Sequence, residues 1–212
     1  MTRLIARSVF VVMACVASAS ATAQLLEGRD YIAVEPAQPT NDPTRIVVTE
    51  FFSYQCPHCF SFFPSLNDWV GTLPDDTVFE RVAVSIGRST WVPIAQAFYA
   101  LQVMDEIDAL DANIFNAIHL EHERLMDEDQ VTDWVVEQGL NRADFASVFS
   151  SFSVKSFLAR GEQLSRAHKI PSVPTLVIDG KFMLPIVDNN TFAEQLARAD
   201  MLIAKARAEK VR

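Results

Sequence analysis

Cysteine is scarce in this chain, which has three cysteines among 212 residues. A small secreted scaffold held together by disulfides needs many more cysteines, and an architecture with several zinc ions needs four ligands for each closed site, so both of these classes are excluded. Glycine is also scarce, with six residues, which argues against an all-β fold and its many tight turns. Since half of the residues are apolar and 21% are charged, the composition is that of a folded chain of one or two domains.

Positive charge is also in short supply, because the formal net charge is −9. Nucleic acids and anionic membranes are bound by clustered lysine and arginine, so we expect neither as a partner. Beyond the N-terminus, no apolar run is long enough to predict a membrane-spanning helix.

The first 23 residues have the order of a secretory signal peptide. Arg3 and Arg7 precede a short apolar run over 8–16, and Ala21-Thr22-Ala23 is an A-x-A cleavage site. We therefore predict a signal peptide at 1–23, cleaved before Gln24, and an exported mature chain that keeps two cysteines.

Two alternatives remain open for this segment. The run Val12-Met13-Ala14-Cys15 weakly resembles a lipoprotein signal, in which Cys15 would be lipidated instead of removed. A buried N-terminal helix is the other alternative, but it does not explain the basic, apolar and small-residue order.

The remaining cysteines form the motif Cys56-Pro57-His58-Cys59. The apolar run Ile46 to Phe52 before it predicts a strand buried on both faces. Pro57 suits the first position of a helix, and Gly71 ends the apolar helical pattern that follows. The motif thus lies where a buried strand meets a helix N-terminus.

This position predicts redox chemistry. Cys56 would stand beside unpaired backbone N–H groups and the positive end of the helix dipole, which stabilise its thiolate and lower its pKa. Cys59, one turn later, would be more buried and able to form a disulfide with Cys56. His58, when charged, would favour the thiolate further. Alternatives are a structural disulfide, which would close too short a loop to stabilise the fold much, and half of a zinc site.

The chain resembles the DsbA family of periplasmic thiol:disulfide oxidoreductases, within the thioredoxin superfamily. The resemblance rests on Glu50 through Cys59, on Val173-Pro174-Thr175, and on Asp179-Gly180-Lys181-Phe182. It implies an α/β, thioredoxin-like fold with an inserted all-helical domain. On this basis we expect the thioredoxin-like domain at 24–86 and 157–212, and the helical insertion at 87–156.

The resemblance also implies an activity. The chain would be a periplasmic disulfide oxidase that needs no cofactor besides its cysteine pair, acts as a monomer on unfolded exported proteins, and is reoxidised by a quinone-linked membrane partner of the DsbB type. Val173-Pro174 would carry a cis peptide bond against the active site and help to hold a substrate strand. Glu50 would be a buried acid that tunes the cysteines and helps to move protons, with Arg81 as its basic partner.

Three other functions remain open. A disulfide isomerase or reductase would use the same motif, a secreted chaperone would bind unfolded chains without redox turnover, and a metal-binding module would use Cys56, His58 and Cys59. Some aromatic side chains, namely Tyr54, Phe60 and Phe63, are candidates for an apolar groove around Cys56. We expect the other histidines, His119, His122 and His168, to lie on the solvated surface.

Overall fold

The computed structural model describes residues 25–186 and 190–210, and a five-stranded sheet forms its centre. The strand order is β1-β5-β4-β2-β3; β2 and β3 are parallel, and the other neighbours are antiparallel. The strands are β1 (Ile32–Ala33), β2 (Ile46–Phe52), β3 (Thr77–Ala83), β4 (Thr175–Ile178) and β5 (Phe182–Pro185). The predicted signal peptide lies outside the described residues.

Strand β2 is buried along its whole length, as its β-branched and aromatic sequence predicts. Alternate side chains point to opposite faces of a strand. On one face, Val48 packs in an apolar cluster with Phe62 and Leu202. On the other, Phe51 packs in a second cluster with Val34. Because β2 is covered on both faces, the residues at its end are held in a rigid, water-poor setting.

Within the described residues, seven α-helices surround the sheet. They are α1 (Pro57–Val70), α2 (Val92–Val103), α3 (Ile107–His119), α4 (Glu128–Glu137), α5 (Arg142–Phe149), α6 (Phe152–Ala167) and α7 (Phe192–Lys210). Helices α2 to α6 follow one another between β3 and β4 and share one apolar core. The domain boundary that we place at 156–157 falls within α6. None of the described helices is long and apolar enough to cross a membrane.

Several helix starts are fixed by local side-chain caps. Asp127 accepts a hydrogen bond from the backbone N–H of Gln130, and Asn141 accepts two at the start of α5. Thr191 and Glu194 bond each other's backbone N–H groups before α7. Each cap satisfies N–H groups that have no partner inside the helix.

Helix α6 approaches the sheet closely because it carries a glycine at the contact. A Cβ atom on Gly161 would lie 2.3 Å from the Tyr99 hydroxyl and 3.2 Å from the carbonyl oxygen of Ala83. The Tyr99 hydroxyl itself donates a 2.9 Å hydrogen bond to that carbonyl. The absent side chain of Gly161 therefore lets α2, α6 and the end of β3 meet.

Candidate active site

Cys56 is the N-cap residue of α1, with extended backbone angles (φ −91°, ψ 117°). Pro57 occupies the first turn of the helix, where its missing N–H leaves no hydrogen bond unmade. The side chain of Cys56 is 6% exposed and that of Cys59 is 1% exposed. Both are free thiols in this structure. The predicted position at a helix N-terminus and the deeper burial of Cys59 are confirmed.

The surroundings of Cys56 stabilise its thiolate and lower its pKa to about 6. The largest cause is a hydrogen bond from the Cys59 thiol, followed among the favourable causes by the backbone N–H groups of Cys59 and His58. The charge of His58 adds a smaller stabilisation, while burial acts in the opposite direction. The low pKa therefore comes mainly from donors that the helix N-terminus holds in place.

Cys59 has the opposite character. Burial raises the pKa of the Cys59 thiol well above its ordinary value, and the neighbouring Cys56 raises it further. The two sulfurs are thus strongly unequal near neutral pH: Cys56 is a stabilised thiolate and Cys59 a thiol. In disulfide exchange, the better leaving group is the sulfur with the lower pKa, which here is Cys56.

The loop before β4 lies against Cys56. The Val173–Pro174 peptide bond is cis, as the resemblance implies. The Cys56 thiol donates to the carbonyl oxygen of Val173, with an Sγ–O distance of 3.3 Å. Beyond the proline, Thr175 begins the strand that pairs with β2. The structure thus brings together Cys56, Val173 and Pro174, which are far apart in the sequence.

Glu50 lies on β2 directly opposite Arg81 on the parallel strand β3. The residue as a whole is 1% exposed, and its Oε2 is 2.7 Å from Nε of Arg81. Burial raises the pKa of Glu50, and the charge of Arg81 opposes that rise. The expected pairing of Glu50 with Arg81 is confirmed.

Sequence reasoning missed a third member of this ion pair. Asp111 on α3 places its Oδ2 2.5 Å from Nη1 of Arg81. Its other oxygen accepts a hydrogen bond from the hydroxyl of Tyr54. One signal was available: Asp111 has helical spacing with Ile107 and Ile114, and an acid on an apolar helix face needs a partner.

Two histidines are wrongly predicted as surface residues. His119 is half-buried, with its Nε2 2.7 Å from the carbonyl oxygen of Tyr54 and its ring stacked on Phe60. His168 is buried; its Nδ1 lies 2.9 Å from the carbonyl oxygen of Leu164. For His119, tertiary packing supplies a distant backbone carbonyl that the local pattern does not reveal. His168 bonds a carbonyl one turn earlier, and it is packing against Phe51 that the local pattern does not reveal. His122, in contrast, is exposed.

The three aromatic side chains considered for an apolar groove differ in their burial. Tyr54 is fully buried, where it packs on Phe52 and Phe115, so it cannot line a surface groove. Phe60 and Phe63 are half-buried and pack on the same core. As for a metal, no group of three or more histidine, cysteine or acidic side chains within 25–186 and 190–210 is placed to hold one.

A cleft of about 640 Å³ opens beside the Glu50–Arg81 pair, between α1, β3, α2 and α3. Arg81 and Asp111 line it together with Phe63, Phe79 and Phe98. The cysteines do not line this cleft. Its importance for the site is that it brings solvent to Asp111, whereas Glu50 lies behind Arg81 and away from water.

Comparisons with known proteins point to one family. A family model described as a DSBA-like thioredoxin domain matches residues 47–197. A "Thiol:disulfide interchange protein DsbA" of Bordetella parapertussis is 35% identical over 207 residues, covering 97% of this chain and 97% of that relative. A protein with the same name from Pseudomonas syringae pv. tomato is 35% identical over 191 residues, covering 90% of this chain and 89% of that relative. The crystal structure of Pseudomonas aeruginosa DsbA matches with a TM-score of 0.81 and 33% identity, covering 87% of this chain and 96% of that one.

Proposed function

Since the chain belongs to the DSBA-like thioredoxin family and is a thiol:disulfide interchange oxidoreductase, we propose that it works as an oxidase. In this role the Cys56–Cys59 disulfide is donated to newly exported proteins. The observation that carries the direction is the inequality of the two sulfurs. A pKa of about 6 at Cys56 stabilises the reduced enzyme as a thiolate, so its disulfide readily accepts electrons.

The reaction begins from the oxidised enzyme. A substrate thiolate attacks Sγ of Cys56, so that a new sulfur–sulfur bond forms and the Cys56–Cys59 bond breaks. Cys59 leaves with the electron pair and takes up a proton, since burial raises the pKa of its thiol. The product is a mixed disulfide between the substrate and Cys56.

A second substrate thiolate then attacks the substrate sulfur of the mixed disulfide. The bond to Cys56 breaks, and Cys56 leaves as a thiolate stabilised by the helix N-terminus. Two electrons have passed from the substrate thiols to the enzyme, and the substrate has gained a disulfide. No group other than the cysteine pair is required to carry these electrons.

The other site residues have supporting roles in this proposal. Pro57 starts α1 directly after the reactive sulfur, and His58 adds its charge beside the thiolate. Val173 and Pro174 hold the incoming substrate chain, which is supported by the contact between the Val173 carbonyl and Cys56. Glu50 influences the pKa values of the two cysteines and helps to move the proton that Cys59 takes up.

The same family membership supports a proposal for the setting of this reaction. We place the protein in the periplasm, exported by the predicted signal peptide and acting as a monomer. A quinone-linked membrane oxidase of the DsbB type returns the reduced Cys56–Cys59 pair to the disulfide. Its substrates are reduced or unfolded exported proteins, which present thiols in extended segments.

The decisive measurement is the reduction potential of the purified protein in glutathione buffers, combined with a pH titration of the Cys56 thiolate absorbance. We expect a potential well above the value of about −270 mV typical of thioredoxin, and a thiolate midpoint near 6. A thioredoxin-like potential together with an unshifted thiol would contradict the oxidase assignment and favour a reductase.

Cysteine variants separate the oxidase from a chaperone without redox turnover. Cys56→Ser should abolish the oxidation of a reduced, unfolded substrate, because the attacked sulfur is gone. Cys59→Ser can be prepared with a small thiol bound to Cys56 as a mixed disulfide. This variant should still transfer that thiol group from Cys56 to a thiol of the substrate. Oxidation that survives in Cys56→Ser would refute the role of this residue.

A further inference from the structure

We propose that Asp111 is a positioning residue of the redox centre: by binding the far side of Arg81, it competes with Glu50 for the guanidinium and keeps Glu50 protonated beneath the cysteines. This inference rests on the proposed redox function of Cys56 and Cys59. It adds a residue of the helical layer to a site that is otherwise built on the sheet, α1 and the loop before β4.

Arg81 is a single positive charge that lies between two acidic side chains. One guanidinium contacts two carboxylates, through Nε to Glu50 and through Nη1 to Asp111. Its remaining surroundings are aromatic: the ring centre of Phe52 lies 3.7 Å from the guanidinium carbon, and Phe63 and Phe98 lie farther out. Within these apolar walls, one positive charge neutralises one carboxylate, and a second unpaired anion is costly. One of the two acids therefore keeps a proton.

The environment decides which acid is ionised. The side chain of Asp111 is 16% exposed at the solvent-filled cleft, and its second oxygen accepts the Tyr54 hydroxyl. The side chain of Glu50 is 2% exposed, and its described polar partner is Arg81. The free energy of ionisation is lower for a carboxyl group that contacts solvent and two hydrogen-bond donors than for a buried one with a single donor. The proton therefore stays on Glu50, the more buried of the two acids.

The ionisable groups around Glu50 make its protonation state matter. Cys56 and Cys59 face it from α1 and its N-cap, Arg81 from β3, and Asp111 from α3, while Tyr54 faces it from the loop after β2. The β4 residue opposite Glu50 is the apolar Leu176. An ionised Glu50 would repel a thiolate at either cysteine, so a protonated Glu50 lowers the cost of forming the Cys56 thiolate.

Asp111→Asn tests this directly, because it removes the charge and preserves the shape. Arg81 is then left wholly to Glu50, so the Glu50 carboxyl should titrate about one pH unit or more lower. This midpoint is followed by NMR of a ¹³C-labelled carboxyl carbon. In the same variant, the Cys56 thiolate midpoint, followed by absorbance, should rise. Tyr54→Phe removes only the hydroxyl that stabilises the Asp111 anion, and it should shift both midpoints in the same directions by less.

Two controls separate this role from a general loss of negative charge. Asp108→Asn removes an exposed acid from the same helix and the same cleft, and it should leave both midpoints unchanged. In a Glu50→Gln background, Asp111→Asn should no longer move the Cys56 midpoint, because the effect passes through the ionisation of Glu50.

The proposal is overturned if the midpoints of Asp111→Asn and Tyr54→Phe equal those of the wild type. It is overturned equally if Asp108→Asn gives the same shifts, or if the Cys56 shift persists in the Glu50→Gln background. The thiolate titration needs no turnover. If the wild-type protein oxidises no substrate but the variants show these shifts, the proposed function is contradicted and the role of Asp111 is supported.

Discussion

At the scale of single residues, the reactivity of Cys56 comes mostly from hydrogen-bond donors of the first turn of α1, the Cys59 thiol first among them. Hydrogen bonds from the Cys59 thiol and from two N–H groups stabilise its thiolate, and the side chain of His58 adds only the weakest of the favourable contributions. The dipeptide between the cysteines can therefore adjust the pKa of Cys56, but the helix N-terminus sets its range.

Replacing His58 tests this ranking. His58→Gln keeps the backbone N–H but removes the ring charge, so the pKa of Cys56 should rise only modestly from about 6 and remain well below its ordinary value of 9.0. The thiolate absorbance of the reduced variant measures this midpoint. A midpoint near 9 would mean that the side chain of His58, and not the helix N-terminus, controls the sulfur.

The sequence predicts some of these residues and not others, for a physical reason. The cysteine motif is local: strand, proline and helix follow one another, so position and reactivity can be predicted together. Asp111 is 30 residues from Arg81 and 57 from Tyr54 along the chain. Only the packing of α3 beside β3 brings these groups into contact, and no local pattern encodes that packing.

At the scale of elements, the helix starts that have side-chain caps can be predicted well, because each cap residue bonds groups only a few positions along the chain. The Asn141 side chain accepts hydrogen bonds from the N–H groups of Ala143 and Asp144. Cap residues reach only two or three positions along the chain, so sequence spacing is enough to find them. The burial of His168 was not predictable, because its neighbour Phe51 belongs to a distant strand.

Asn141→Ala should destabilise the protein by about 1 kcal/mol, since two N–H groups at the start of α5 lose their acceptor. Urea unfolding followed by circular dichroism measures the change, and the dependence of the free energy on urea should stay the same. Asn113→Ala is the matched control, because Asn113 is exposed in the middle of α3. An equal loss in both variants would contradict the capping role.

Gly161→Ala should destabilise the protein by about 1–3 kcal/mol, because the added methyl group overlaps the Tyr99 hydroxyl. Removing that hydroxyl with Tyr99→Phe relieves the overlap. The double variant should therefore lose less stability than the two single variants added together. Strictly additive losses would show that α6 does not depend on this contact.

At the scale of the whole molecule, the thiolate links redox state to the stability of the fold. The pKa of Cys56 is about 6 in the folded state, against an ordinary value of 9.0. The stability that the thiolate adds to the reduced fold is therefore fully present above pH 9 and is lost as the pH falls from 9 to 6. Cys59 has a raised pKa, so it has little effect below 9.

The stability of the reduced protein minus that of the oxidised protein should thus fall by about 2 kcal/mol between pH 8 and pH 6, because the slope is at most about 1.4 kcal/mol per pH unit and is halved at the midpoint near 6. Urea unfolding of both forms at several pH values measures this difference. Subtracting the oxidised form removes the contributions of groups that do not interact with the two cysteines. Reduced Cys56→Ser should lack this slope, and a slope that persists there would contradict the assignment to Cys56.

The ion pair network of Arg81 also bears on cooperativity. Arg81 joins Glu50 of the sheet to Asp111 of the helical layer, and the aromatic rings of Phe63 and Phe98 lie around the same guanidinium. Separating the two layers would break the contact with Asp111 and expose this apolar surface to water, which disfavours a state with one layer unfolded and the other intact. The layers should therefore unfold in a single transition, and amide hydrogens in the cores of α3 and β2 should exchange with the same free energy of opening.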